Sequence, residues 1–293
     1  MPIPVRGVGV GLVVALATLV ATGCTAAETG ESTGVTPSGD PAPAYCQDMQ
    51  PTVEGLVEDM NMPGAVVLVR SPALGDCFLS LGTRVLEEQQ PIGLDDQFRI
   101  GSNTKTMTGT VVLQLVQEDL LGLDDRVSDY VDGVPNGENI TIEQMLTMRS
   151  GLADYSTSPE LAQSMDETPD RVWTPDEVLA LSFAQPPAFA PGEGYLYSNA
   201  NTVLLGLIIE GLTGMPLEVA FHERIFGPLG LEHTLLPERT ANTLPQEHAR
   251  GYLYGTVVDF LATDGVLPPD EAAAAADGTL LPDDVTEMNP SWG

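Results

Sequence analysis

The chain has 293 residues, 42 of them acidic and 11 basic, for a net charge of −31. A polyanion of that kind has no electrostatic means of holding a nucleic acid, so a nucleic-acid partner is excluded. The length suffices for one large core or two small ones.

In chain order, residues 1–24 read as a targeting segment. Arg6 precedes an apolar run at 8–20, too short to cross a bilayer comfortably, which ends in Ala21-Thr22-Gly23-Cys24. Small residues leading to a cysteine resemble a lipoprotein cleavage box, after which Cys24 would carry lipid. Ala21 stands where such boxes usually have leucine, and ordinary secretory cleavage is the alternative. Two acyl chains, at ~0.8 kcal/mol per buried methylene, would anchor the protein stably. The expected location is therefore extracytoplasmic, on the membrane through lipid or secreted without it. Residues 25–44 have almost nothing to bury and read as a flexible tether. Of the three cysteines, Cys46 and Cys77 remain once Cys24 is lipidated, a natural disulfide pair in an oxidising compartment. Two free buried thiols are the alternative.

Val53, Leu56, Val57 and Met60 have the spacing of an amphipathic helix, and Pro63-Gly64 breaks it. Residues 65–70 and 78–84 are strand candidates joined by the turn-forming stretch 71–76, a hairpin. From Ser102 the pattern is helical. Thr141 and Gln144 form a capping box over a helix at 142–148, closed by Ser150-Gly151. Thr174-Pro175 opens another helix with proline at its first position. Residues 185–194 are a loop rich in proline and glycine, and an apolar helix over 203–212 is stopped by Gly214.

Lys105 is the only lysine in the chain; the other ten cations are arginines. It follows Ser102 by three residues at the start of the apolar run Val111, Val112, Leu113, Leu115, Val116. At that spacing on a helix the two side chains share one face. Lysine, unlike arginine, can lose its proton to burial and neighbouring charge. An unprotonated Lys105 beside Ser102 would be a base next to a hydroxyl nucleophile, at a helix N-terminus that favours developing negative charge. A lone Ser-x-x-Lys also arises by chance. Downstream, Tyr197 and Asn199 lie on the loop that leads into the apolar helix. Taken alone, they read as a packing tyrosine with a wet hydroxyl and a helix cap.

Taken together, Ser102-Asn103-Thr104-Lys105 and Tyr197-Ser198-Asn199 are similar to the first two motifs of the serine β-lactamase and penicillin-binding DD-peptidase superfamily. The branch resembled includes class C β-lactamases, DD-carboxypeptidases, D-aminopeptidases and related esterases. Residues 146–152, 191–193, 205–210, 228–231 and 248–252 agree with it in order, and the resemblance runs from about residue 45 onward. It implies an α+β fold: an all-helical subdomain at about 101–240 packed on an antiparallel α/β subdomain, of which only the N-terminal helix and hairpin are expected here. It also implies an acyl-enzyme on Ser102, with Lys105 and Tyr197 sharing the proton work as a coupled pair. Asn199 would orient the substrate amide and Lys105. No metal or cofactor is implied. The implied substrates are small molecules or cell-wall peptides: D-Ala-D-Ala peptides, β-lactams, D-amino-acid amides or esters.

One departure stands out. The family's third motif is Lys or His, then Thr or Ser, then Gly. None of His222, His233 or His248 is followed by such a pair, and Lys105 already serves the first motif. The strand carrying that motif would also supply one oxyanion donor. The expectation is therefore a truncated hydrolase domain over 45–293, with an inactive cell-wall-binding lipoprotein, or an esterase of the same fold, as the competing reading. For the N-terminus the expected outcome is partitioning into detergent that is lost on Cys24→Ala. A wild-type protein that stays wholly aqueous would reject lipidation.

Overall fold

A computed structural model describes residues 42–86, 88–244, 247–263 and 265–292; Cys24 and the apolar run before it lie outside them. The chain divides into two compact units. The first holds the described residues up to Phe98 and those of Leu244–Thr286; the second holds Arg99–Thr243 and the residues from Glu287 onward.

In the first unit, helix α1 (Ala44–Asp59) precedes an antiparallel hairpin of β1 (Gly64–Val69) and β2 (Cys77–Gly82). The helix begins at Ala44, nine residues before the Val53 with which the apolar spacing starts, because its first turns are tied down by Cys46 rather than by periodicity. Met60, expected on its apolar face, is beyond the last helical turn and exposed. Pairing runs from Gly64 opposite Gly82 to Val69 opposite Cys77, so residues 70–76 close the hairpin. Alternation along β2 turns Cys77, Leu79 and Leu81 inward. Cys46 is buried against Cys77 and Leu79, with Tyr45, Met49, Val53, Val67 and Val69 packed around them. On the opposite face of β1, Val66 and Leu68 are exposed. Beyond the expected helix and hairpin, this unit contains short helices at Val257–Ala262 and Pro269–Ala276. It also contains a two-residue ladder between Tyr252–Leu253 and Asp283–Asp284.

The second unit is helical. It comprises α2 (Thr104–Gln117), α3 (Ile142–Leu146), α4 (Pro159–Glu167), α5 (Pro175–Phe183), α6 (Asn199–Thr213) and α7 (Leu217–Phe221). Helix α6 is its axis and touches α2, α3, α5 and α7. It buries Ala200, Leu204, Leu205, Ile208 and Ile209, and each large aliphatic side chain so buried contributes about 1.5–3 kcal/mol. Gly214, at φ +67°, ends it in the left-handed conformation that glycine adopts without strain. Helix α2 presents Thr108, Val111, Val112 and Leu115 inward while Leu113 faces solvent, so its apolar run is a stripe and not a fully buried core.

Both capping boxes form. Thr141 accepts from the Gln144 N–H, and Thr174 accepts from the Glu177 N–H with Pro175 at the first helical position. Helix α3 stops at Leu146, two residues short of the expected end, because Met148 takes a positive φ of 58°. The tail returns to this unit: Asn289 is buried, donating from its N–H to the Pro169 carbonyl at 2.7 Å and from Nδ2 to the Arg239 carbonyl at 3.0 Å.

Cys46 and Cys77 form a disulfide that closes a loop of sequence separation 31. In the chain-entropy description, such a loop stabilises the fold by roughly 3–4 kcal/mol. Non-reducing peptide mapping should recover the two cysteines cross-linked. Urea unfolding of Cys77→Ala should show a loss of about that size, whereas wild-type stability in the variant would contradict the role assigned to the bridge.

Candidate active site

All four side chains picked out by the two motifs lie in the helical unit, and three separate segments bring them together. Ser102 occupies a single 3-10 turn, Gly101–Asn103, immediately before α2, and not the α-helix itself. Residues i and i+3 nearly eclipse across such a turn, so the Ser-x-x-Lys spacing still places Lys105 beside it. The Lys105 Nζ donates to Ser102 Oγ at 3.1 Å. Ser102 Oγ and Tyr197 Oη are 2.7 Å apart, either able to donate. Lys105 Nζ also lies 4.9 Å from the centre of the Tyr197 ring. Its third neighbour is Asn199 Oδ1, at 2.6 Å. A nucleophile-bearing hydroxyl therefore has a nitrogen base on one side and a phenol on the other, which is the geometry proton transfer requires.

Tyr197 and Asn199 are placed by the way α6 begins. Ser198 is fully buried, extended, and makes no side-chain cap; its hydroxyl donates instead to the Ala153 carbonyl at 3.0 Å. The Ser182 hydroxyl of α5 donates to the same carbonyl at 2.6 Å. With Ser198 turned inward, its neighbour Tyr197 is left facing solvent. Asn199 is the first residue of α6, so it is not the helix cap that a lone asparagine before a helix suggests.

The loop before α6 is zipped to the segment after α3. The Leu196 N–H donates to the Met148 carbonyl at 3.1 Å, Gly192 to Arg149 at 2.8 Å and Ala188 to Gly151 at 2.9 Å. Gly151 has φ +81°, and a Cβ there would lie 2.1 Å from the Phe189 carbonyl oxygen. Only glycine fits that crossing.

Two residues that the motifs do not include also belong to the site. Asp154 and Ser156 stand on the turn facing α6 and hold Asn199 from behind. The Asp154 carboxylate accepts from the Asn199 backbone N–H at 3.0 Å and from its Nδ2 at 3.1 Å, and Ser156 Oγ accepts from Nδ2 at 3.2 Å. Asp154 thus supplies the N-terminal acceptor that Ser198 does not, with a negative charge where the helix dipole favours one. The sequence signal for it was local only: an Asp-x-Ser turn, in which Asp154 accepts from the Ser156 N–H. Between them, Tyr155 is buried, and that burial, reinforced by Asp154 and Tyr197, raises its phenol well above the ordinary tyrosine range. Among the described residues no group of histidine, cysteine and carboxylate side chains has the spacing of a metal site.

Comparisons with known proteins identify relatives of the chain. A Beta-lactamase family profile matches residues 49–289. A penicillin-binding protein of Bacillus subtilis strain 168 is 28% identical over 231 residues, covering 76% of this chain and 48% of its own length. A putative D-alanyl-D-alanine carboxypeptidase of Escherichia coli K12 is 30% identical over 184 residues, covering 61% of this chain and 42% of its own. Among solved structures, a D-stereospecific amidohydrolase from Streptomyces sp. superposes with a TM-score of 0.68 at 31% identity, over 86% of this chain and 66% of that one. The chain thus spans about half the length of the curated relatives it matches. With the Ser102–Lys105 pair, Tyr197 and Asn199 assembled on this helical unit and the profile running over most of its length, the chain belongs to the Beta-lactamase family.

Proposed function

We propose that the site belongs to an extracytoplasmic serine hydrolase that cleaves amides through an acyl-enzyme. The substrates would be D-residue peptides of the cell wall, their amide analogues, or β-lactams. The observation that carries this reading is the continuous contact Lys105 Nζ–Ser102 Oγ–Tyr197 Oη. In the proposed reaction Ser102 Oγ attacks the carbonyl carbon while its proton passes into the Lys105–Tyr197 pair. Collapse of the tetrahedral adduct expels the amine, which takes that proton. Water then attacks the acyl carbon by the same route, giving a proton to the pair, which returns it to Ser102 Oγ as the acid leaves. The two groups are assigned jointly because each touches the same oxygen.

The substrate class is supported by what the relatives are, a D-alanyl-D-alanine carboxypeptidase and a D-stereospecific amidohydrolase among them. The disulfide supports an oxidising, extracytoplasmic compartment, and the resemblance of residues 21–24 to a lipoprotein box supports a membrane anchor there.

Nucleophile and base lie in the helical unit, but no Lys or His in the chain is followed by Thr or Ser and then Gly. The strand bearing that triplet would supply the second oxyanion donor, and loss of one such donor slows acylation by roughly 10²–10³. The expected outcome with an activated penicillin or a fluorophosphonate probe is therefore twofold. The 293-residue chain takes up no stoichiometric label. A form extended by a strand carrying the third motif is labelled on Ser102, and Ser102→Ala abolishes the label. Stoichiometric labelling of the 293-residue chain would show that the rest of the site has been misplaced. No labelling in the extended form would reject the hydrolase.

A further inference from the structure

Helix α2 holds Ser102 on its C-terminal side; what holds it on the other side lies far away in sequence. Gly101, just before it, has φ +51° and open space where a Cβ would lie. Glycine has the most backbone freedom of any residue, so α2 alone leaves the nucleophile's turn a hinge at its N-terminal end. Two side chains close that end. Asn103 donates from Nδ2 to the Ile100 carbonyl at 2.8 Å, which keeps the turn in shape. Arg99 donates from Nη2 to the Asn242 carbonyl at 2.8 Å, which keeps it in place. Arg84, Arg171, Arg224, Arg239 and Arg250 each pair with a carboxylate, whereas Arg99 forms no such pair among the described residues. In a chain with 42 acidic residues, an arginine given a backbone carbonyl serves to anchor the chain and not to balance charge.

The 239–242 segment that receives Arg99 is itself tied down by Asn289, which is 1% exposed. Asn289 Nδ2 donates to the Arg239 carbonyl at 3.0 Å and to Asn242 Oδ1 at 2.6 Å. Its Oδ1 accepts from the Ser291 N–H at 2.8 Å, and its own N–H reaches the Pro169 carbonyl at 2.7 Å. A backbone carbonyl can only accept, so the Arg239 contact determines which end of the Asn289 amide is nitrogen. The Asn242 amide follows, with its oxygen toward Asn289. Both amide protons and the amide oxygen of Asn289 are therefore used, as burial demands. A polar chain thus runs from Asn289 through Asn242 to Arg99, three residues before Ser102, although Asn289 and Arg99 lie near opposite ends of this unit's sequence.

We propose that Asn289 is a positioning residue for the nucleophile, acting on Ser102 through Asn242 and Arg99. None of its hydrogen bonds reaches Ser102 or Lys105, so its effect is transmitted along that chain. The inference deepens the hydrolase reading and rests on it for its meaning. Its mechanical content, that Asn289 sets where Ser102 stands beside Lys105, stands on the geometry. A nucleophile displaced by about 1 Å can lose ~10²-fold in rate, so a remote tie of this kind bears on the chemistry.

Lys105 is the only lysine, so a chain grown with ε-¹³C-lysine carries a single labelled side-chain resonance. Lys105 Nζ donates to Ser102 Oγ, so that resonance reports the nucleophile's position. In the 293-residue chain, Asn289→Ala and Arg99→Met should each shift it by more than a linewidth. The double variant should shift it no further than the larger single, because both cut one chain. Ser291→Ala frees the Trp173 N–H but leaves the Asn289–Asn242 contact, and should leave the signal in place. A signal unmoved in either Asn289→Ala or Arg99→Met, shifts that add, or an equal shift in Ser291→Ala overturns the proposal. Asn242→Ala removes the Oδ1 acceptor and keeps the carbonyl that Arg99 grips, so it takes the place of Asn289→Ala, with the same expected shift, where that variant does not fold. In the extended, acylation-competent form, Arg99→Met and Asn289→Ala should slow acylation about 10–100-fold at unchanged KM, and Arg99→Lys should restore most of the rate. Wild-type acylation in both variants, or a loss confined to KM, would overturn it. If no form is ever acylated the hydrolase reading fails, and the lysine signal still decides the positioning role by itself.

Discussion

The amine of Lys105 is held between two oxygens, Ser102 Oγ at 3.1 Å and Asn199 Oδ1 at 2.6 Å, and most of the helical unit bears on that placement. Lysine carries a long, flexible stem and gives up about 2 kcal/mol of rotamer entropy when fixed. Three different segments share the work of fixing it. The turn before α2 supplies Ser102, the start of α6 supplies Asn199 and Tyr197, and the 151–156 turn supplies the groups behind Asn199. The tertiary contact is therefore also the chemical one.

Rigidity comes from burial just beneath an exposed surface. Ser198, Ala200 and Asn201 are almost wholly inaccessible, whereas Tyr197, one residue earlier, is in contact with solvent. An α-helix whose first turn is packed on every side presents its N-terminal residues with little freedom, which is what a proton-transfer geometry needs. The loop zipped across Met148, Arg149 and Gly151 performs the same service from the other side. Its close crossing at Phe189 requires glycine at 151, where φ is positive and no Cβ fits.

What was legible in the sequence was local. The Thr141–Gln144 and Thr174–Glu177 capping boxes, the stop at Gly214 and the 71–76 turn all depend on neighbours within a few residues, and all form. The Ser-x-x-Lys spacing was readable for the same reason, although it lies across a 3-10 turn and not along an α-helix. Asp154 was not readable, because its partner is 45 positions away and an Asp-x-Ser turn satisfies itself in any loop. Helix α1 begins in a stretch read as tether, since what holds its first turns is a cross-link to Cys77 and not a periodic face. The apolar run at 111–116 likewise does not tell which of its members face inward, and α2 turns Leu113 to solvent.

The central claim is that Lys105 and Tyr197 act on Ser102 as one unit and not as two independent aids. A double-mutant cycle on the rate of Ser102 acylation tests it, comparing Lys105→Met, Tyr197→Phe and the double variant in an acylation-competent form of the protein. Groups that share one proton are strongly non-additive. The account predicts that the double variant is slowed about as much as the worse single variant. Losses that multiply, so that the double variant falls to the product of the two singles, would contradict it.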